Sequence, residues 1–192
     1  GEVTETTGLL LVSNWSDDFI TEFSYSTKEQ LTSQQSPVGQ GLPSFTINDC
    51  CAQGIRCALG PDVFRSANQL ATETTFTKLK GTYYMGNHKF TFGYENKLWD
   101  IYNVFIEAQD GAYEFEGLAN YQAQIASSFE YSNSRDLTEQ GGAAVFEYYL
   151  DSFYIQDEID ISDKLNVLVG VRYDQFDSDD SPAVNQGFVD TY

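Results

Sequence analysis

The sequence predicts an all-β protein whose antiparallel up-and-down strands form part of a large transmembrane β-barrel, with long extracellular loops and short periplasmic turns. Three observations predict it. Six segments alternate apolar and polar residues with period two. The connections between them alternate strictly between short and long. Every Lys and Arg inside a segment falls on its polar side.

The bulk composition agrees. Hydrophobic residues make up 41% of the 192 residues and aromatics 15%, which is too apolar for a disordered chain. The aromatics are mostly Tyr and Phe, which favour strands. The net charge of −19 argues against a nucleic-acid partner, because phosphate must be neutralised by Lys and Arg. There is no run of about 18 apolar residues, hence no transmembrane helix, but a barrel strand needs none. The start, Gly1-Glu2-Val3-Thr4, lacks the basic and apolar stretches of a signal peptide. The expectation is a mature chain or a piece of a longer one.

The six strands are expected at 6–15, 18–30, 74–85, 88–103, 144–161 and 164–177. Trp15-Ser16-Asp17-Asp18, Met85-Gly86-Asn87-His88 and Ile161-Ser162-Asp163-Lys164 are tight polar turns of the residues turns prefer. The other connections, 31–73, 104–143 and the tail from Ser178, are long. In an up-and-down barrel, alternate connections lie at opposite ends, so this sorting separates short periplasmic turns from long outer loops. A soluble meander has no reason to sort its loops by length, and structureless loops this long are uncommon in compact soluble domains.

The faces follow from the alternation. In the second strand Phe19, Thr21, Phe23 and Tyr25 oppose Glu22, Ser24, Ser26 and Lys28. In the third, Leu79, Gly81 and Tyr83 oppose Lys78, Lys80, Thr82 and Tyr84. In the fourth, Phe90, Phe92 and Tyr94 oppose Lys89, Thr91, Gly93, Glu95 and Lys97. In the sixth, Leu165, Val167, Val169, Val171 and Tyr173 oppose Asn166, Leu168, Gly170, Arg172 and Asp174. A cation facing mid-bilayer lipid costs about 2–4 kcal/mol, and this placement avoids it. A soluble sheet with one wet face also alternates. Aromatics near the strand ends and Gly and Ser among the charges favour lipid on one side and water on the other. The fifth strand is the exception, since Asp151 and Asp157 share a face with Phe153, Ile155, Ile159 and Ile161. Asp157 lies near a turn, and Asp151 is expected in a strand that extends past the membrane.

Three stretches resemble a known family. The last hairpin, Ser152-Phe-Tyr-Ile-Gln-Asp-Glu-Ile-Asp-Ile-Ser-Asp-Lys-Leu-Asn-Val-Leu-Val-Gly-Val-Arg-Tyr-Asp174, resembles a hairpin seen throughout TonB-dependent receptor barrels. Gly86-Asn-His-Lys-Phe-Thr-Phe-Gly-Tyr-Glu95 is similar to a second hairpin of the same barrels. Gly60-Pro-Asp-Val-Phe-Arg-Ser-Ala-Asn-Gln-Leu70, Trp99-Asp-Ile-Tyr-Asn-Val-Phe105 and Gly111-Ala-Tyr-Glu-Phe115 together resemble the Oar-like branch. The sequence departs from the pattern at Ile159, where the family usually has Trp. Nothing in it resembles the plug domain or the TonB box. The resemblance implies a barrel of roughly 22 strands around a plug, so the expectation for 1–192 is an internal barrel fragment of a longer receptor. Six strands cannot close even the smallest such barrels, which have about eight.

The resemblance implies energy-coupled uptake of a solute across the bacterial outer membrane, with outer-membrane lipid, TonB (through the missing plug and TonB box) and an extracellular solute as partners. Peptides, glycans and metal chelates all fit as the solute. Lys78, Lys80, Lys89, Glu95 and Arg172 are the candidate lumen-lining residues. The loops 31–73 and 104–143, rich in Tyr, Phe, Gln and Asn, are the candidate ligand contacts. The alternatives are a porin or adhesin that works without TonB, and a soluble β-sandwich or lipocalin-like binding module.

No catalytic constellation is expected, and no cofactor. His88 is the only histidine and falls in a predicted turn, leaving no buried His–carboxylate pair for a triad. Asp157, Glu158, Asp160 and Asp163 lack the central Gly and closing Glu of an EF-hand. Asp177, Asp179 and Asp180 begin a solvated acidic loop where a divalent cation could bridge lipopolysaccharide. Asn14-Trp15-Ser16 fits a glycosylation pattern that is idle in a bacterial compartment. Cys50, Cys51 and Cys57 lie in a predicted loop; a bridge from Cys57 to either of the others is open, and zinc would need a fourth ligand.

Overall fold

The computed structural model describes residues 1–178, 180–181 and 184–191; Asp179 of the acidic loop and the terminal Tyr192 lie outside the described residues. The strands are β1 (Glu2–Asn14), β2 (Phe19–Ser33), β3 (Ser44–Asn48), β4 (Cys57–Leu59), β5 (Ala67–Met85), β6 (His88–Ile106), β7 (Ala112–Glu116), β8 (Ser128–Glu130), β9 (Ala144–Ser162) and β10 (Leu165–Asp177). Short helices α1 (Gly117–Gln122), α2 (Glu139–Gly142) and α3 (Gln186–Val189) complete the elements with a 3-10 turn at Val63–Arg65. All six predicted strands are present, joined into one six-stranded sheet in the order β1-β2-β5-β6-β9-β10. Among the described residues the sheet is open, with β1 and β10 as its edges.

By compactness the chain forms two units, each with its own organisation. The first contains Gly1–Val3, Gln30–Ala71 and Tyr102–Val145. The second contains Thr4–Glu29, Thr72–Ile101 and the chain from Phe146 onward.

The second unit is a wall of strand with little buried apolar side chain. The β9–β10 register pairs Val167 with Ile159, Val171 with Ile155 and Tyr173 with Phe153, so the apolar residues of both strands share one face. The opposite face pairs Arg172 with Tyr154 and Asp174 with Ser152. The apolar face is bare: Leu79, Phe153, Ile155, Val169, Val171 and Tyr173 are each more than half exposed. Contiguous apolar surface on this scale marks an interaction face, because a water-soluble sheet would cover it. Two glycines allow close aromatic approach. A Cβ on Gly81 would lie 2.5 Å from the Phe92 ring, and one on Gly93 would lie 2.5 Å from the Tyr154 hydroxyl oxygen. Each ring thus covers backbone that its glycine leaves bare.

The first unit departs from the expectation. The segments 31–73 and 104–143 are not structureless loops; they carry a second sheet in the order β4-β3-β7-β8. Its central pair, β3 and β7, is parallel, with Phe45 opposite Tyr113 and Ile47 opposite Phe115. Ile47, Cys50 and Phe115 are buried together, with Phe45, Cys57, Tyr113 and Tyr121 packed against them. A second cluster of Ala67, Val104 and Ile106 takes in Tyr102 and Ala143. The central β3–β7 pairing of the sheet joins strands far apart in sequence, so no hairpin pattern announces it. A disulfide joins Cys50 to Cys57, with Cα atoms 5.9 Å apart, and Cys57 opens β4 instead of lying in a loop.

The strand ends also differ. Strands β2, β5 and β6 run further from the short turns than predicted, to Ser33, from Ala67 and to Ile106. The turn between β5 and β6 is only Gly86-Asn87, so His88 is the first residue of β6 and not a turn residue.

Candidate functional site

The predicted polar residues come together on one face of the wall, and each finds a partner of opposite charge. Lys80 Nζ on β5 lies 2.8 Å from Glu22 Oε1 on β2. Lys89 on β6 lies 3.0 Å from Glu158 Oε2 on β9. Glu95 is the hub: Lys78 Nζ approaches its Oε1 at 3.4 Å and Arg172 Nη1 its Oε2 at 3.1 Å. Arg172 Nε also binds Asp174 Oδ1 at 2.8 Å. To reach Glu95 on β6 from β10, Arg172 crosses β9, and its guanidinium stands 5.8 Å from the centroid of the Tyr154 ring. That ring lies over Gly93, so absence of a side chain at one position sets the path of an ion pair above it. Lys97 sits over the Phe76 ring at 5.4 Å.

Such part-exposed pairs contribute about 0–1 kcal/mol each, so the array is weak as a brace. Its effect is electrostatic: Lys78, Lys80, Lys89, Glu95 and Arg172 all lie on one surface with their charges locally offset. A groove of about 470 Å³ on this side is lined by Lys78, Lys80, Glu95, Gln156 and Arg172 among others.

The opposite face handles its polar residues differently. His88 Nδ1 lies 2.7 Å from Asp157 Oδ2, and the imidazole stacks on Phe90 with centroids 5.5 Å apart. A His–carboxylate pair thus forms at the start of β6, because the turn is tighter than predicted. It is part-exposed. Asp151 accepts hydrogen bonds from Tyr94 Oη at 2.5 Å and Asn96 Nδ2 at 2.9 Å. Both acids of the anomalous fifth strand thus have donors on β6. They bracket Phe153 and Ile155 over about 20 Å of strand at about 3.4 Å per residue. Toward the short turns, Phe19 meets Tyr83 edge-on at 6.4 Å. A larger hollow of about 720 Å³ is lined by Leu11, Phe23, Leu79, Phe92, Phe153 and Val171, with Glu22, Lys80 and Tyr154 among others.

In the first unit, sequence reasoning marked only segments. The structure singles out a row across the second sheet, Leu59–Phe45–Tyr113–Phe129, in register. Phe45 and Tyr113 stack at 5.6 Å and Tyr113 meets Phe129 at 4.7 Å. The alternation of Tyr113 and Phe115 inside Ala112–Glu116 was the available signal. On the other face of this sheet, Glu114 accepts from Asn48 Nδ2 at 2.9 Å and from Ser128 Oγ at 3.2 Å. These bonds hold its carboxyl below the usual range, Asn48 contributing most. Asp136 is likewise lowered, first by the Ser134 hydroxyl and then by Thr138. The sulfurs of Cys50, Cys51 and Cys57 lie within 4.8 Å of one another, but two are already bonded, which leaves one thiol and no donor set for zinc.

A continuous antiparallel wall with a bare apolar face and a charge-paired polar face defines a membrane-spanning barrel wall, since only helices and barrels satisfy the backbone in lipid. The family model of the outer membrane beta barrel domain matches residues 7–188, and the chain belongs to that family. No curated protein and no solved structure matches it. The chain is therefore a component of the bacterial outer membrane, its apolar face in contact with outer-membrane lipid.

Proposed function

We propose that this chain is part of the barrel wall of a TonB-dependent receptor of the Oar-like branch, which takes up a solute across the outer membrane. The observation that carries the reading is the hairpin Ser152–Asp174, which combines the receptor-like sequence with the paired strands β9 and β10. On this reading the face bearing Lys78, Lys80, Lys89, Glu95 and Arg172 lines the watery lumen, as polar lining and not as a catalytic centre. The second sheet, built from the two long connections, contacts the extracellular solute.

Two physical points support further strands. An open edge in lipid leaves backbone groups without partners, and β1 and β10 are both edges. Six strands also fall short of the smallest closed barrel, of about eight. The expected remainder is barrel strand together with a plug and TonB box elsewhere in the polypeptide.

Site-specific photo-crosslinking of the native receptor to TonB in living cells tests this. A TonB adduct that depends on a plug encoded upstream of this segment supports the reading. A native protein that lacks a plug, forms no adduct and conducts ions constitutively is a porin instead. The soluble sandwich alternative has no place in a chain of this family.

A further inference from the structure

We propose that Cys51 is the attacking thiol in an exchange with the Cys50–Cys57 bridge, so that the first unit holds two disulfide isomers, Cys50–Cys57 and Cys51–Cys57. The inference is independent of the transport reading. All three sulfurs lie within 4.8 Å of one another. Cys51 is free and exposed, whereas Cys50 is only 8% exposed.

The step balances without an outside oxidant or reductant. The Cys51 thiolate attacks Cys57 Sγ, a Cys51–Cys57 bond forms as the Cys50–Cys57 bond breaks, and Cys50 leaves as a thiolate. It takes up the proton that Cys51 released. Attack on Cys50 Sγ would instead bridge adjacent residues, whose Cα atoms are only about 3.8 Å apart, below the usual disulfide range of about 4.4–6.8 Å. Cys57 is therefore the target.

Backbone hydrogen bonds close the turn that carries Cys50 and Cys51. Cys50 N donates to Ile55 O and Ile55 N to Ala52 O, at 3.1 Å each. Gly54 N donates to Asp49 Oδ1 at 2.5 Å, closing the same turn. The two bridges close rings differing by one residue, so loop-closure entropy barely separates them. The preference is set by the core: Cys50 packs with Ile47 and Phe115, and exchange turns that half-cystine into a buried thiol.

The experiment uses outer membranes carrying the native protein. Free thiols are alkylated with iodoacetamide, the bridge is reduced, the released thiols are labelled with N-ethylmaleimide, and peptides are sequenced by tandem mass spectrometry. The expected result is first label on Cys51 with a measurable share on Cys50, the Cys50 share vanishing in Cys51→Ser. Cys50→Ser is expected to close Cys51–Cys57 and to show no free thiol at these positions. First label confined to Cys51, or two free thiols in Cys50→Ser, overturns the proposal.

Discussion

Asp157 Oδ2 on β9 lies 2.7 Å from His88 Nδ1 on β6, on the apolar face of a wall that stands in lipid. Near the short turns, where this pair lies, a lipid-facing charge without its partner costs about 0–1 kcal/mol. His88→Leu is therefore expected to destabilise the folded barrel by about that amount. The double variant with Asp157→Leu should recover most of the loss, because it removes both polar groups together. Urea unfolding of the native barrel, followed by its heat-modifiable mobility on gels, reads the difference. Additive losses in the double variant would show that the two side chains act separately.

Gly93 supports a second prediction. A Cβ there would sit 2.6 Å from the Leu79 carbonyl oxygen as well as against the Tyr154 ring. The ring can swing aside, but the neighbouring strand cannot without disturbing the ladder. Gly93→Ala should thus cost about 1–3 kcal/mol, in the range of overpacking. Combining it with Tyr154→Ala should relieve only part. Full rescue in the same unfolding assay would mean that the ring contact alone forbids a side chain.

The wall was legible because one-sided contact with lipid writes period two into the chain. Lys78, Lys80, Lys89, Glu95 and Arg172 could be assigned to one face from their alternation alone, and they do share it. Their partners were not legible, since Arg172 reaches Glu95 across an intervening strand. The second sheet was missed for a related reason. Its β3–β7 pairing joins Phe45 to Tyr113, a contact with no local sequence signature. The choice between Cys50 and Cys51 also stayed open, because adjacent residues differ in burial and not in spacing.

Glu95 carries a prediction about permeation, which rests on the proposed lumen. It offsets Lys78 and Arg172 together, so Glu95→Gln leaves two cations without their shared partner. The stability change should be under about 1 kcal/mol, because the pairs are part-exposed. The ion preference should change more. In planar bilayers, the reversal potential of the native barrel is expected to shift toward anions. An unchanged potential would place this face away from the conducting path.

Acid should loosen the second sheet once pH falls below about 4.3, the unfolded value for Glu. The carboxyls of Glu114 and Asp136 are both held below their usual values, by Asn48 and Ser128 in one case and by Ser134 and Thr138 in the other. A group whose folded pKa is depressed adds stability that is fully present above its unfolded value, about 4.3 for Glu and 3.9 for Asp. That stability disappears as pH falls through the folded value, when the charged acceptors take up protons. Amide exchange in Ser44–Asn48 and Ala112–Glu116, corrected for intrinsic rates, should therefore lose protection as pH is lowered from about 6 to about 3. Glu114→Gln should flatten the part of this dependence that arises from Asn48, since the amide keeps an acceptor but cannot titrate. Protection that falls just as steeply in Glu114→Gln would assign the acid sensitivity of this sheet to other carboxylates.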